Sequence, residues 1–243
     1  MKNKFIFATG NFYRFANKNS ANLINFIKKL DIDGVEITFS SKDQLYNFKL
    51  NHDQAMWLRE LQYVSIHSPF NLIEDVAGDN QGILDQMVRL YNLAQKIKAK
   101  NIIIHPHSLP SAQILKKSQV KKIKVSTENL EKKRRFTVAR LERIVNEHKG
   151  VGLCLDVSHA YLWSPQETEK LVKKFNKIIT QIHFSGTYRR KDHQSLRKVS
   201  PLFIKSIQPI KKLNVPIVIE EDMKTRDIKW VRDEIDYIKS LFV

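Results

Sequence analysis

The sequence predicts a single closed (β/α)8 barrel over residues 1–243. Three observations carry this expectation. Eight short runs rich in Ile, Val and Phe alternate with amphipathic stretches, as strands buried on both faces alternate with helices. Six of those runs end on His, Asp or Glu, which sets polar side chains around one rim of a sheet. Seven glycines and seven prolines are too few for a linker, so nothing divides the chain. An open doubly wound sheet also alternates strand and helix, but it gathers its site near one switch point. Here the polar endings are spread over most of the units, and 243 residues is close to the ~250 of one barrel.

The first strand is expected at Lys4–Thr9, with Ser20 capping a helix through ANLINFIKKL. Strands at Gly34–Phe39 and Tyr63–His67 follow. Across Ile83–Ala99, the residues Ile83, Leu84, Met87, Leu90, Tyr91 and Ala94 recur at helical spacing, ahead of a strand at Asn101–His105. After Ile123–Glu128, the stripe Val138, Leu141, Ile144 and Val145 marks the next buried helix face. Val151–Asp156 leads to Ser164-Pro165-Gln166-Glu167, which reads as a capping box with proline at the first helical position. Ile179–Phe184 and Pro216–Glu220 complete the eight strands.

Composition bounds the partners. A 42% hydrophobic content is that of a globular chain. The single cysteine, Cys154, excludes an internal disulfide and fits a reducing, cytoplasmic compartment. No run approaches the ~18 apolar residues of a membrane span, and the apolar run near the N-terminus is too short for a signal peptide. The chain is expected to act as a monomer. A formal charge of +17 fits a polyanionic partner, and equally a lysine-rich surface, because lysines recur in most helical segments.

The polar endings are YVSIH to His67, NIIIH to His105, IKVSTE to Glu128, GLCLD to Asp156, ITQIH to His183 and PIVIE to Glu220. Residues two apart on a strand share a face, so Ser65 goes with His67, Ser126 with Glu128, Cys154 with Asp156 and Gln181 with His183. Three carboxylates converging at one rim repel one another unless a cation lies between them. Mixed imidazole and carboxylate donors suit Zn2+, and also Mn2+ or Fe2+. His159, Asp192 and His193 follow these strands closely enough to add ligands, so a site of more than one ion is expected. Taken singly, each of these residues reads as a hydrogen-bonded core or loop group. Their joint occurrence at matching positions is what points to metal. Around them, Glu36, His107 and the basic run Arg189-Arg190-Lys191 are candidates for contacting substrate or phosphate. His52 and His148 read as solvent-facing, and Cys154 as a small buried hydrophobe.

With these motifs in view, the chain resembles the endonuclease IV / xylose isomerase-like TIM-barrel superfamily. Gly152-Leu153-Cys154-Leu155-Asp156-Val157-Ser158-His159-Ala160 is similar to the endonuclease IV motif G-x-C-x-D-x-x-H-A. Ile104-His105-Pro106, Glu128-Asn129, His183 with His193-Gln194-Ser195-Leu196, and Ile219-Glu220 resemble its other strand-end segments. The resemblance implies three zinc sites. His67, His105 and Glu128 would hold the first. Glu128 would bridge to a second, completed by Asp156, His183 and Glu220. His159 and His193 would hold the third. The family's aspartate two residues before that last histidine is Lys191 here, with Asp192 adjacent instead. The resemblance implies a phosphodiesterase that cuts DNA 5′ to abasic sites on two or three zinc ions, with Glu128, Asp156 and Glu220 as the catalytic carboxylates. The other branch of the superfamily implies a sugar or sugar-phosphate isomerase or epimerase needing one divalent ion on Glu128, Asp156, His183 and Glu220. A third possibility is a nucleic-acid-binding barrel that has lost its metals, and the retained ligand set argues against it. His67 and His105 separate the two enzymatic branches, because only the polynuclear one needs them.

Overall fold

Alternation along the first strand separates two interiors. Phe5 and Phe7 belong to the large apolar layer under the helices, whereas Ile6 and Ala8 belong to a small apolar cluster with Val218. The computed structural model that shows this describes residues 3–15, 20–118, 122–131 and 137–243. Its barrel strands are β1 (Phe5–Ala8), β2 (Gly34–Thr38), β3 (Tyr63–His67), β4 (Asn101–Ile104), β5 (Lys124–Glu128), β6 (Gly152–Asp156), β7 (Ile179–Phe184) and β10 (Ile217–Ile219). They pair in parallel in the closed order β1-β10-β7-β6-β5-β4-β3-β2, so the expected (β/α)8 barrel is the observed one.

The helices are α1 (Ser20–Ile27), α2 (Lys42–Asn47), α3 (His52–Glu60), α4 (Asn80–Ile97), α5 (Ala112–Lys117), α6 (Val138–Glu147), α7 (Val157–Trp163), α8 (Glu167–Phe175), α9 (Pro201–Ser206) and α10 (Ile228–Ser240). The expected stripe on α4 buries Ile83, Met87, Leu90 and Ala94, and that on α6 buries Leu141 and Ile144. The cap expected from Ser20 rests on a side chain outside the described residues.

The capping box expected at residues 164–167 is not formed. Helix α7 runs to Trp163, so Ser164 ends that helix and the following turn is spent joining it to α8. Glu167 is the first residue of α8, behind Gln166, which makes no side-chain cap. Ser164 instead donates its hydroxyl to the Glu167 carboxylate at 3.4 Å. His105 and Glu220 each lie one residue beyond their strands, where the chain leaves the sheet at the rim.

One element is not expected from the sequence. After β7 the chain forms an antiparallel hairpin of β8 (Gly186–Tyr188) and β9 (Lys191–Gln194). Its two-residue tip is Arg189-Arg190, both at positive φ (51° and 60°), the pattern of a type I′ turn. Gly186 permits the hairpin to pack, since a Cβ there would meet Val199 Cγ1 at 2.5 Å and the Gln194 carbonyl at 2.7 Å. No helix among the described residues is long and apolar enough to cross a membrane.

Candidate metal centre

The barrel axis is filled with polar groups beneath the C-terminal rim. Glu36 is fully buried and pairs across the sheet with Ser65. Ser65 Oγ and Gln181 Nε2 both donate to Glu36 Oε2, each at 2.8 Å. Tyr63 Oη (2.9 Å) and Asn101 Nδ2 (3.0 Å) donate to Gln181 Oε1, which fixes the orientation of that amide. Glu36, expected as a substrate contact, lies fully buried in this layer.

Above this layer the strand ends converge. Glu128, 2% exposed, is the hub. Its oxygens lie 3.1 Å from His105 Nε2, 3.1 Å from His183 Nδ1 and 3.7 Å from His67 Nε2. His183 Nδ1 also lies 2.7 Å from Glu220 Oε2. Asp156 accepts at Oδ1 from His159 N (2.7 Å) and Ser158 Oγ (2.9 Å), and its Oδ2 is 3.5 Å from His159 Nδ1. His159 Nε2 faces Asp192 Oδ2 at 3.4 Å.

Three of these histidines are oriented by main-chain carbonyls. Nδ1 of His67 donates to Ser68 O, that of His159 to Asn129 O and that of His193 to Glu220 O, each at 2.9 Å. A carbonyl only accepts, so Nδ1 carries a proton and Nε2 is the nitrogen available to the site.

Asp192 and His193 are consecutive, and consecutive residues on a strand point to opposite faces. His193 has φ 50°, which breaks the alternation. His193 thereby groups with Asp156 and His159, while Asp192 Oδ2 lies 3.4 Å from His159 Nε2. The lysine at the family's aspartate position, Lys191, is exposed.

Charge in this cluster is strongly displaced. Burial opposes ionisation of Glu128, but His105, His183 and His67 outweigh it and hold its carboxyl well below the usual range. Burial likewise raises Glu220, but His183 and His193 bring it down to about 2. Burial pushes Asp156 up, against the pull of His159 and His193. Burial lowers His105 to about 4, only partly offset by Glu128. For His159 burial acts downward too, yet Asp156 and Asp192 raise it to about 10.

The described residues form four groups with donor atoms close enough to share an ion: His67-His105-Glu128, Glu128-Cys154-His183, Asp156-His159-His193 and Glu36-His183-Glu220. Glu36 Oε1, Glu128 Oε2, Asp156 Oδ2 and His183 Nδ1 are buried with no hydrogen-bond partner. Such orphans are costly unless a donor or a cation completes them. Imidazole and carboxylate donors converging with unmatched negative charge fit divalent metal ions.

The remaining candidates lie around this centre. His107 Nε2 donates to Phe70 O at 3.1 Å, and its ring is 5.3 Å from that of His105. Arg189, Arg190 and Lys191 are exposed on the hairpin, and the first two line a groove of about 490 Å3 with Tyr161, Lys198 and Ser200. A cavity of about 270 Å3 opens beside Glu220, lined in part by Asn11, Thr38, Ser40, Phe70 and Asp222. Sequence reasoning missed this wall, because neutral polar residues at β1 and β2 ends carry no spacing signal. It also gave no role to Asn129, whose amide clamps the main chain of Asp156 at 2.8 and 2.9 Å. His52 is exposed as expected, while His148 is half-buried on its own helix carbonyl, Ile144 O, at 3.0 Å.

The fold and site together define a (β/α)8 barrel with a candidate metal centre at its C-terminal rim. The chain belongs to the xylose isomerase-like TIM barrel family, which matches residues 24–241. Its fold is similar to that of endonuclease IV from Thermus thermophilus (TM-score 0.64, 14% identity, covering 98% of this chain and 99% of that one). It is also similar to 3-keto-D-glucoside 4-epimerase from E. coli (TM-score 0.68, 16% identity, covering 98% and 100%). D-allulose 3-epimerase from Methylomonas sp. aligns with a TM-score of 0.71 at 11% identity, covering 98% and 97%. No curated protein matches the sequence.

Proposed function

We propose that this chain is a metal-dependent phosphodiesterase that cuts DNA 5′ to abasic sites. One observation carries the reading: His67 and His105 form a donor group with Glu128, and Glu128 belongs at the same time to a second donor group through His183. A one-ion sugar isomerase has no use for the first group. His67, His105 and Glu128 would hold one ion, and Glu128, Asp156, His183 and Glu220 a second. His159 and His193, with Asp192, would hold a third. The first and third sets, rich in imidazole, favour zinc, while the carboxylate-rich second set suits manganese or iron as well.

Bound there, zinc supplies a water acidic enough to act as a nucleophile near neutral pH and neutralises a scissile phosphate. The chain's own residues set up the rest. Glu128 and Glu220 stay ionised and hold the histidines in place, while Ser158 and the His159 main chain fix Asp156 through Oδ1 and leave Oδ2 without a hydrogen-bond partner. The cavity beside Glu220 accepts a sugar ring turned out of the duplex. Arg189 and Arg190 contact phosphates along the flanking strand.

A second reading, an isomerase or epimerase of a free sugar, is favoured by that same cavity, whose Asn11, Thr38, Ser40 and Asp222 suit neutral hydroxyls. One pair of measurements decides. The phosphodiesterase contains more than one tightly bound ion per chain by elemental analysis and nicks an abasic-site duplex. One ion, no nicking and turnover of ketose sugars establish the isomerase instead.

A further inference from the structure

We propose that Glu36 is a positioning residue that selects Nδ1 of His183 as the metal-binding nitrogen by taking the proton of Nε2. The inference rests on the metal reading of the site.

His183 is the exception among the rim histidines. His67, His159 and His193 each spend Nδ1 on a main-chain carbonyl and present Nε2, and His105 also presents Nε2, its Nδ1 having no hydrogen-bond partner. His183 is reversed: its Nδ1 faces the carboxylates of Glu220 (2.7 Å) and Glu128 (3.1 Å), and neither contact has hydrogen-bond geometry. Among the described residues, no carbonyl backs its Nε2. The group found there is Glu36 Oε1, at 3.1 Å, in a fully buried carboxylate.

The layer below decides which oxygen of Glu36 is free. Ser65 and Gln181 both donate to Oε2, and Tyr63 and Asn101 keep the Gln181 amide from flipping. Oε1 is left without a hydrogen-bond partner. A buried carboxylate oxygen in that state demands a donor, and His183 Nε2 is within donor distance at 3.1 Å. Gln181 Nε2 lies 3.2 Å from the same ring nitrogen and would favour the opposite tautomer by donating to it. A charged acceptor outweighs a neutral amide donor, and the shorter contact of that amide is to Glu36. The proton therefore goes to Nε2, and the Nδ1 lone pair is aimed at the centre. A carboxylate behind a ligating imidazole also raises its basicity toward the ion.

The substitution Glu36→Gln tests this sharply, because it preserves shape while reversing polarity. Ser65 and Gln181 still donate to one oxygen, so the introduced carbonyl takes that place. The introduced NH2 then faces His183 Nε2, which becomes an acceptor. The proton moves to Nδ1 and blocks the ligating atom. Zinc titration of the chelator-stripped protein is expected to show one ion bound ~10–100-fold more weakly, with the others unchanged. Long-range 1H–15N spectra of the zinc-loaded, 15N-histidine-labelled protein are expected to show a proton on Nε2 of His183 in the wild type only. Ser65→Ala, which removes one of the two donors, gives a smaller loss at the same ion. Glu36→Gln binding every ion as tightly as the wild type, or losing all of them together with its melting transition, overturns the proposal. A wild type that binds its ions but nicks no abasic duplex removes the nuclease reading and leaves the Glu36 titration decisive on its own.

Discussion

The proposed ligands His67, His105 and Glu128 reach the centre from barrel strands or the residue just past one, whereas Asp192 and His193 reach it from a hairpin. The first set is positioned by the parallel register of β3, β4 and β5, which the whole barrel maintains. The second is positioned by a turn with two arginines in the left-handed region and by the same conformation at His193. Each such residue costs on the order of 1 kcal/mol. The protonation states differ as well. His105 is driven down to about 4 by burial and is neutral near pH 7. His159, despite burial, is raised to about 10 by Asp156 and Asp192 and is charged when no ion is bound. His105 has no proton to surrender to an ion near pH 7, whereas His159, at the start of α7, must surrender one.

The largest effect that bears on this contrast is expected at the residue joining the two sides of the centre. Glu128→Ala lowers nicking of an abasic-site duplex on the order of a thousandfold or more, because it removes a carboxylate shared by two donor groups. Elemental analysis of the same variant should find at least two ions weakened. Next in size is a matched pair. His105→Ala and His159→Ala are each expected to lose one ion, but from different sides. In the wild type, graded chelation should strip the His159 ion first. Equal resistance of the two sides to chelation would dissolve the distinction between them.

A pH series sharpens the contrast further. The raised pKa of His159 means that, in the stripped protein, its contribution to stability is fully present below about 6.5 and is lost as pH rises through about 10. The stripped protein should therefore melt at a lower temperature at pH 9 than at pH 6. Ion uptake on the loop side should release protons at pH 7 and tighten with rising pH, read by calorimetry in buffers of different ionisation enthalpy.

What was legible in the sequence follows the same division. The barrel was readable because short β-branched runs and amphipathic helices differ in period, and His67, Glu128, Asp156 and His183 were readable because a strand end fixes where its side chain points. The hairpin was not readable. Its turn uses Arg189-Arg190 where a type I′ turn is normally signalled by Asn and Gly, so no turn chemistry marked it. Lys191 at the family's aspartate position is a real departure, and the positive φ at His193 that brings the adjacent Asp192 and His193 both near His159 carries no sequence signal. Glu36 was visible as a carboxylate on a strand, but its depth was not. A short step along the strand separates the rim from the layer beneath, and only the contacts of Ser65 and Gln181 show which layer it occupies.

The smallest expected effect concerns the tip of that hairpin. Arg189 packs over the Tyr188 ring at 5.2 Å, and no ion pair is seen for Arg189 or Arg190 among the described residues. Two bulky residues kept in the left-handed region, with their guanidinium groups in solvent, do nothing for the fold that Asn-Gly would not do better. Their retention makes sense if the charge is used. Arg189→Ala and Arg190→Ala should each weaken duplex binding a few-fold whether or not the duplex carries a lesion, and lower the slope of log K against log salt by about 1. The double change to Asn-Gly should raise the melting temperature while lowering DNA affinity. A hairpin so relaxed that still bound DNA with the wild-type salt slope would show that the tip is tolerated, not used, and would move the DNA-gripping surface elsewhere on this basic chain.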